Sequence, residues 1–304
     1  MSPSSFVELP RCDQLPSIPA IAQKILGLRR DPNTDFYAVA SVLQKDPVIS
    51  AMLLKWANSP YYGQAHVYES VLAAVRLFGI KDSLTLALNF TLIDCLRAID
   101  HHSLDYDWFW RRSLLSAVFA RNLAKYLGRN DDEELFLAAL LQDIGMLALD
   151  RTTPSLYAGL DTVKDYHDEA VKKESECFGS NHAVLGGQLL SEWGLPASLI
   201  LAISRSHDFE LTKSLDHCNE FQRIVMISAL FSELWIHPDW KQKYHQVLSE
   251  GYSLLGLSVE DVLCIIDTTD QDAQDVAALF NIVLLGPNET QALLSEAARE
   301  TLAK

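Results

Sequence analysis

The chain has 304 residues, of which 49% are hydrophobic and 21% charged, and its formal net charge is −15 at pH 7. This composition predicts a folded protein with a sizeable core, and the acidic balance argues against a protein that coats nucleic acid, which needs a basic face. Five scattered cysteines with no Cys-x-x-Cys pair favour reduced thiols, so we expect a cytoplasmic location. We find no apolar run long enough to span a membrane and no pattern of a secretory signal.

Apolar residues recur at helical spacing along almost the whole chain, and no segment shows the alternation of a strand. The sequence therefore predicts an all-α fold, with residues 1–14 extended and the polar segment 101–107 as the boundary between two helical lobes. In chain order, the predicted helices cover residues 18–28, 35–45, 47–57, 69–78, 81–99, 108–127, 135–149, 154–163, 168–178, 182–193, 196–205, 215–235, 239–251, 258–268, 271–284 and 288–304.

The predicted helix 135–149 contains two strongly polar residues, Gln142 and Asp143. Its apolar residues cover every helical face, which is typical of a helix that is buried all round. A buried carboxylate is costly unless it is paired. We therefore expect a metal, a cation or a hydrogen-bond network at Asp143, with the rest of the chain folded around that point.

Two histidines, His182 and His207, also lie where apolar helices end or cross. Histidine and carboxylate are common ligands of zinc, iron and manganese. The alternative is structural: Asp143 pairs with an arginine or a helix N-terminus, His182 packs in the first turn of its helix, and His207 caps a helix C-terminus. Glu174 and Glu176 are expected on a solvated helix face, with the alternative that one of them reaches His182.

Six segments form a set: LPSIPAIAQKIL (15–26), KDPVISAMLLKWANSPYYG (45–63), AVRLFGIKD (74–82), FLAALLQDIGMLAL (136–149), ESECFGSNHAVLGGQLLSEWGLP (174–196) and SH (206–207). Together they resemble the HD-related output domain (HDOD) family, a divergent branch of the HD-domain phosphohydrolase superfamily. The resemblance implies an HD-like multi-helix bundle over residues 15–212. Within it we expect a helical lobe over about 15–100 and an HD-like lobe from about 106, with C-terminal helices over 213–304 packed on that lobe.

An active hydrolase of this superfamily holds its metal with an upstream histidine, a His-Asp doublet and a downstream aspartate. The doublet here is Gln142–Asp143, the upstream region carries Arg111 and Arg112, and Ala229 stands at the downstream position. A glutamine amide is a poor substitute for imidazole, an alanine offers no ligand, and an arginine repels a cation. The preferred hypothesis is that Arg111 or Arg112 pairs with Asp143 and replaces the charge of the metal.

The resemblance thus implies a degenerate site, and we expect no catalytic residues, no cofactor and no metal. If a metal binds, we expect iron, zinc or manganese on Asp143, His182 and His207. The favoured function is a non-catalytic bacterial signal-transduction module that acts through protein partners or a small ligand in the cleft. The alternative is a metal-dependent phosphohydrolase acting on a nucleotide or cyclic nucleotide, and a nucleic-acid partner is not expected.

Overall fold

The computed structural model describes residues 17–59, 67–98, 102–161, 166–208, 218–280 and 282–284. Across these residues every regular element is a helix and no strand occurs, which confirms the all-α prediction. None of these helices combines the length and apolarity needed to cross a bilayer. The helices are α1 (Ala20–Arg30), α2 (Phe36–Leu43), α3 (Pro47–Ala57), α4 (Val71–Phe78), α5 (Ile80–Arg97), α6 (Tyr106–Tyr126), α7 (Asp132–Leu141), α8 (Ile144–Thr152), α9 (Tyr166–Phe178), α10 (His182–Glu192), α11 (Ala197–Ser204), α12 (Glu220–Ile236), α13 (Trp240–Leu255) and α14 (Val259–Phe280).

Short polar side chains define where many of these helices begin. Asp35, Asp46 and Asp105 accept hydrogen bonds from backbone N–H groups in the first turns of α2, α3 and α6. Asn181 does the same for α10, and Asn219 forms a capping box at the start of α12. Each such cap stabilises its helix by about 1 kcal/mol. The caps also fix the register of the helices that carry the polar residues discussed below.

The described chain divides into two compact units. The first contains residues 17–98 and the end of α14, residues 275–280. It comprises α1 to α5, whose apolar stripes meet in one core. The largest fully buried side chains of this unit are Ile25, Leu43, Leu53, Trp56, Leu84 and Leu86.

The second unit contains residues 102–274 and 282–284. Its central element is α6, which packs against both α7 and α12 and is buried along most of its length. The rings of Phe119 on α6 and Phe231 on α12 stack with their centroids 3.6 Å apart. Because α6 is buried between other helices, its polar side chains are removed from water. They therefore need hydrogen-bond partners within the unit.

The prediction of one continuous helix over 135–149 is wrong. The chain is buried throughout this stretch, but α7 ends at Leu141 and α8 begins at Ile144, with a turn at Gln142 and Asp143. Asp143 has φ −101° and ψ 11°, outside the helical region. The turn brings the Asp143 carboxylate to a buried arginine, and this pairing offsets the cost of burying the charge.

Two further helix predictions differ from the structure. Residues 154–159 form turns after the end of α8, because the buried side chains Leu156 and Tyr157 belong to a compact loop rather than to a helical stripe. The predicted helices 258–268 and 271–284 form one helix, α14, because the polar residues between them do not interrupt it. One of these residues, Asp270, has a partner outside the helix, since its side chain accepts a hydrogen bond from the Trp235 indole. The predicted segment 1–14 and the predicted helix 288–304 lie outside the described residues.

Candidate functional site

Four side chains from separate elements meet in the second unit, and we call Asp143, His167, His182 and His207 the Asp-His cluster. Asp143 lies in the turn between α7 and α8, and His167 is in the first turn of α9. His182 is the first residue of α10, held there by the Asn181 cap, and His207 follows the end of α11. Three of the four are buried and His207 is nearly so, although buried charged and imidazole side chains are costly without partners.

Close glycine packing brings α8 and α10 together at the cluster. A Cβ atom on Gly145 would lie 2.0 Å from the backbone oxygen of His182, and one on Gly186 would lie 3.1 Å from the Ile144 side chain. No other residue fits at Gly145 without moving the backbone, since real Cβ atoms do not approach this closely. Gly145 therefore sets the separation between Asp143 and His182.

One oxygen of Asp143 faces all three imidazoles. Asp143 Oδ1 lies 3.2 Å from the Nε2 atom of His207, 3.3 Å from that of His182 and 3.5 Å from that of His167. The Nε2 atoms of His182 and His207 are 2.7 Å apart. The four candidate donor atoms all lie within 4.8 Å of one another. Three nitrogen donors and one oxygen donor thus converge on a single small volume.

The other oxygen of Asp143 pairs with Arg112. The Arg112 Nε donates to Asp143 Oδ2 at 2.8 Å, and its Nη1 donates to the Ala229 carbonyl at 3.0 Å and to the Glu233 carboxylate. Only 3% of the Arg112 side chain is exposed. The guanidinium therefore bridges two carboxylates in the interior, one from the α7–α8 turn and one from α12.

This pairing sets the charge states of the two partners. Burial by itself raises the pKa of Asp143, but Arg112 and then His167 hold it well below its usual range. Burial lowers the pKa of Arg112, and the carboxylates of Asp143 and Glu233 reverse that effect and raise it. Both groups are therefore ionised at neutral pH.

His182 is oriented from its far side by Glu174. The His182 Nδ1 atom lies 2.8 Å from Glu174 Oε2, and Glu174 also accepts from the His182 backbone N–H at 2.8 Å and from the Tyr157 hydroxyl at 2.7 Å. Burial lowers the pKa of His182, but Glu174 and Asp143 raise it to about 9. Burial raises the pKa of Glu174, and His182 outweighs this and lowers it. Because Nδ1 donates to Glu174, the Nε2 atom of His182 points into the cluster.

Among the described residues, no buried carboxylate supports His207 or His167 in the way that Glu174 supports His182. Burial lowers the pKa of His207 to about 3; a hydrogen bond that Asp143 accepts acts in the opposite direction, and the charges of His167 and His182 lower the pKa further. The nearest acid to His167 Nδ1 is Asp168 Oδ1, at 3.8 Å. The buried Nε2 of His167 has no hydrogen-bond partner among the described residues.

A pocket with a volume of about 180 Å³ opens beside the cluster. Its walls include Arg112, His167, His207, Glu233 and Lys243, so it combines both signs of charge. Pockets for drug-sized ligands have volumes of roughly 300–1,000 Å³. The pocket is therefore of a size for an ion, a few water molecules or a small polar group, and gives solvent a route to His167 and His207.

The residues singled out from the sequence are found in different places. Asp143, His182 and His207 meet, and Arg112 reaches Asp143 while Ala229 supplies a carbonyl to Arg112. Arg111 is only partly buried, and no ion pair joins it to Asp143 in the described part of the chain. The buried Gln142 donates to the Ala139 carbonyl at 3.0 Å, and its own side-chain oxygen finds no partner within the described ranges.

Two functional candidates were missed or misjudged from the sequence. His167 was not singled out, and Glu174 was expected on a solvated face, which is wrong because Glu174 is completely buried. Both lie on the buried face of α9, at the spacing that also includes Ala170 and Phe178. A histidine and a glutamate on the apolar stripe of an amphipathic helix are the signal that could have identified them.

The comparisons with known proteins agree on the family and the fold. The HDOD domain family matches residues 15–209, well over half of the chain. Among solved structures, an HDOD domain protein of unknown function from Geobacter sulfurreducens is 23% identical, with a TM-score of 0.67, and the match covers 93% of this chain and 96% of that one. A search of curated proteins returned no match.

Two further solved structures share the fold. A Shewanella amazonensis protein described as "Putative phosphohydrolase" is 21% identical, with a TM-score of 0.69 and coverage of 90% of this chain and 96% of that one. A Marinobacter aquaeolei protein described as "Putative signal transduction protein" is 21% identical, with a TM-score of 0.53, and the match covers 97% of this chain but 63% of that one. At these identities the likeness concerns the fold alone.

Proposed function

The chain belongs to the HDOD family, and from that premise we propose that it is a non-catalytic cytoplasmic module of bacterial signal transduction, built on a scaffold shared with HD-domain phosphohydrolases. The observation that carries the proposal is the pairing of Arg112 with Asp143. Asp143 is the one residue of the superfamily's primary metal set that this sequence retains. The Arg112 guanidinium donates to the Oδ2 atom of Asp143. In a binuclear site the Asp143 carboxylate would need this oxygen for a second metal ion.

The neighbouring positions support the same proposal. Gln142 stands where the superfamily has the histidine of its doublet, and its amide is engaged with the Ala139 carbonyl. Ala229 stands at the downstream acidic position, and its backbone carbonyl is bonded to Arg112. The described residues therefore do not fit a binuclear hydrolytic centre, since three of its four primary ligands are missing and the Arg112 guanidinium is bound to the fourth, Asp143.

We propose that the module signals by binding a partner or a ligand rather than by catalysing a reaction. The acidic net charge of −15 disfavours a nucleic-acid partner and leaves proteins as the proposed partners. The pocket beside the cluster, at about 180 Å³, suits a small polar ligand better than a dinucleotide. The solved relative from Marinobacter, described as a signal transduction protein, is consistent with this class of function.

The second candidate function is a metal-dependent phosphohydrolase, and one observation favours it. The Asp-His cluster gathers four donor atoms beside a pocket that solvent reaches. A hydrolytic metal needs a water molecule in an open coordination position. Four protein donors fill a tetrahedral shell, so this arrangement supports metal binding better than it supports hydrolysis.

Turnover measurements separate the two functions. The purified chain is assayed with bis(p-nitrophenyl) phosphate, 3′,5′-cyclic nucleotides and cyclic dinucleotides, each with added Mn²⁺, Fe²⁺ or Zn²⁺. We expect no hydrolysis above the metal-only control, with the same result for Asp143→Ala and for the exposed control Asp267→Asn. Metal-dependent turnover that survives in Asp267→Asn and disappears in Asp143→Ala would show that the chain is an enzyme.

A further inference from the structure

The geometry points to a single closed zinc site at the Asp-His cluster, with Asp143, His167, His182 and His207 as its four ligands. The ion would join the α7–α8 turn, α9, α10 and the segment after α11. This site is distinct from a hydrolytic centre because it has no ligand position left for water. It also differs from the set expected from the sequence, since His167 adds the donor that a three-ligand site lacks.

The distances fit a tetrahedral ion. Ligand atoms that lie about 2.0–2.1 Å from zinc in a tetrahedral site are separated by about 3.3–3.4 Å. The separations from Asp143 Oδ1 to the three Nε2 atoms are 3.2, 3.3 and 3.5 Å. The separation between the Nε2 atoms of His182 and His207, 2.7 Å, would have to widen by about half an ångström on binding. Three of the six donor-donor separations therefore match the edges of one coordination tetrahedron, and all four donor atoms lie within 4.8 Å of one another.

An unsatisfied donor atom points into the same volume. The His167 side chain is 10% exposed, and its Nε2 atom has no hydrogen-bond partner among the described residues. Buried polar atoms without partners are uncommon and call for an explanation, such as an ion. A metal bond to this nitrogen would satisfy it.

Glu174 provides the outer support that zinc-bound histidines normally have. It holds the Nδ1 side of His182 at 2.8 Å and is itself held by Tyr157. A carboxylate in this position fixes the tautomer that presents the Nε2 lone pair to the metal. Glu174 is thus a positioning residue for the site.

The surrounding charges favour a divalent cation. Asp143, Glu174 and Glu233 are buried carboxylates, and Arg112 is the guanidinium that pairs with two of them. With the imidazoles neutral, as metal ligation requires, these four groups carry two net negative charges, which one divalent ion neutralises. The adjacent pair of Asp168 and Lys243, 3.7 Å apart, adds no net charge. Three imidazoles with one carboxylate suit zinc better than the hard cations magnesium or calcium.

The decisive measurement is the metal content of the full chain, produced without a histidine tag and purified without chelator. After dialysis against zinc, mass spectrometry is expected to find about one zinc ion per chain in the wild type. The same result is expected for His102→Gln, a control at an exposed histidine outside the cluster. His167→Gln and Asp143→Ala are expected to lose the ion, and Glu174→Gln to bind it about 10–100-fold more weakly.

Replacement of zinc by cobalt tests the coordination geometry in the wild type alone, so the test does not depend on whether a variant folds. Intense visible absorption is expected for a tetrahedral cobalt ion, and chelation should abolish it and lower the melting temperature. Absence of stoichiometric zinc, retention of zinc in a folded His167→Gln variant, or the weak spectrum of octahedral cobalt would overturn the inference. Zinc without turnover supports both this site and the proposed function. Zinc-dependent turnover that is lost in Asp143→Ala would contradict both, because a closed site has no position for water. Absence of zinc without turnover would overturn this site and leave the proposed function standing.

Discussion

Asp143, at the start of α8, and Asp150, within the same helix, are both buried carboxylates, but they differ in the kind of partner that they have. Asp150 is 1% exposed and accepts hydrogen bonds from the backbone N–H groups of His102, Ser103 and Leu104 at 2.6–2.9 Å. Asp143 is equally buried, but its partners are side chains that carry or can carry charge. Backbone N–H groups are uncharged donors that do not titrate, so they satisfy the Asp150 carboxylate permanently. Histidine side chains can gain or lose a proton and can bind a metal ion, so the surroundings of Asp143 can change their charge. The comparison teaches that the partners of a buried acid, rather than its burial, distinguish a structural role from a candidate site.

The largest expected effect comes from removing the charge partner of Asp143. Arg112→Met leaves the carboxylates of Asp143 and Glu233 buried without their cation, and breaking a buried pair in this way costs about 3–5 kcal/mol. The measurement is the free energy of unfolding in urea. Arg111→Met, at the adjacent and partly exposed position, is the matched control and should change it by less than about 0.5 kcal/mol. If Arg112→Met and Arg111→Met lowered the free energy of unfolding equally, the loss could not be assigned to the buried ion pairs of Arg112.

A methyl group at Gly145 is expected to disturb the Asp143 end of α8. The added Cβ would meet the His182 carbonyl oxygen at 2.0 Å, so Gly145→Ala should lower the free energy of unfolding by about 3 kcal/mol through forced backbone shifts. Gly27→Ala in α1 is the control, because nothing lies within 4 Å of its new Cβ. That variant should instead be stabilised by about 0.5–1 kcal/mol. A neutral Gly145→Ala would show that α8 and α10 are not held as closely as described.

The smallest of the three effects is expected at Asp150. Asp150→Asn replaces one acceptor oxygen by an amide nitrogen that faces a backbone N–H, and a lost buried hydrogen bond of this kind costs about 1–3 kcal/mol. The exposed Asp267→Asn is the control, with no change expected beyond about 0.5 kcal/mol. Because the partners of Asp150 among the described residues are backbone N–H groups and the Ser103 hydroxyl, zinc content should be the same in Asp150→Asn as in the wild type. Loss of zinc in Asp150→Asn would contradict the structural role assigned to Asp150 in contrast to Asp143.

The all-α class and the importance of Asp143 could be predicted because both depend on local pattern. Helical spacing of apolar residues fixes the class, and an acid within the apolar stretch 135–149 signals a buried partner. The break at Gln142 could not be predicted, because it depends on where Arg112 lies in three dimensions. The family itself followed from segment resemblance, and the match to the HDOD family confirms it.

The composition of the cluster was harder to predict. His167 and Glu174 lie on one face of α9, yet a histidine and a glutamate on a charged helix are usually exposed, so the local pattern favoured the wrong environment for Glu174. His182 and His207 were singled out at the ends of apolar helices, and the resemblance gave them with Asp143 as the ligands of a metal if one binds. Their meeting with Asp143 depends on the glycine contacts of α10 with α8, at Gly145 and Gly186, and with α11, at Gly187, which are a property of packing rather than of any single segment.

The bridge that Arg112 makes to Asp143 and Glu233 has an evolutionary consequence. One guanidinium neutralises two acids, so a mutation at any of these three positions changes what is tolerated at the other two. A lineage could exchange Arg112 for histidine only after position 233 had lost its charge, since otherwise an intermediate with an unmatched interior acid would have to survive. The order in which substitutions can accumulate at these three positions is therefore constrained, even when each step is chemically simple.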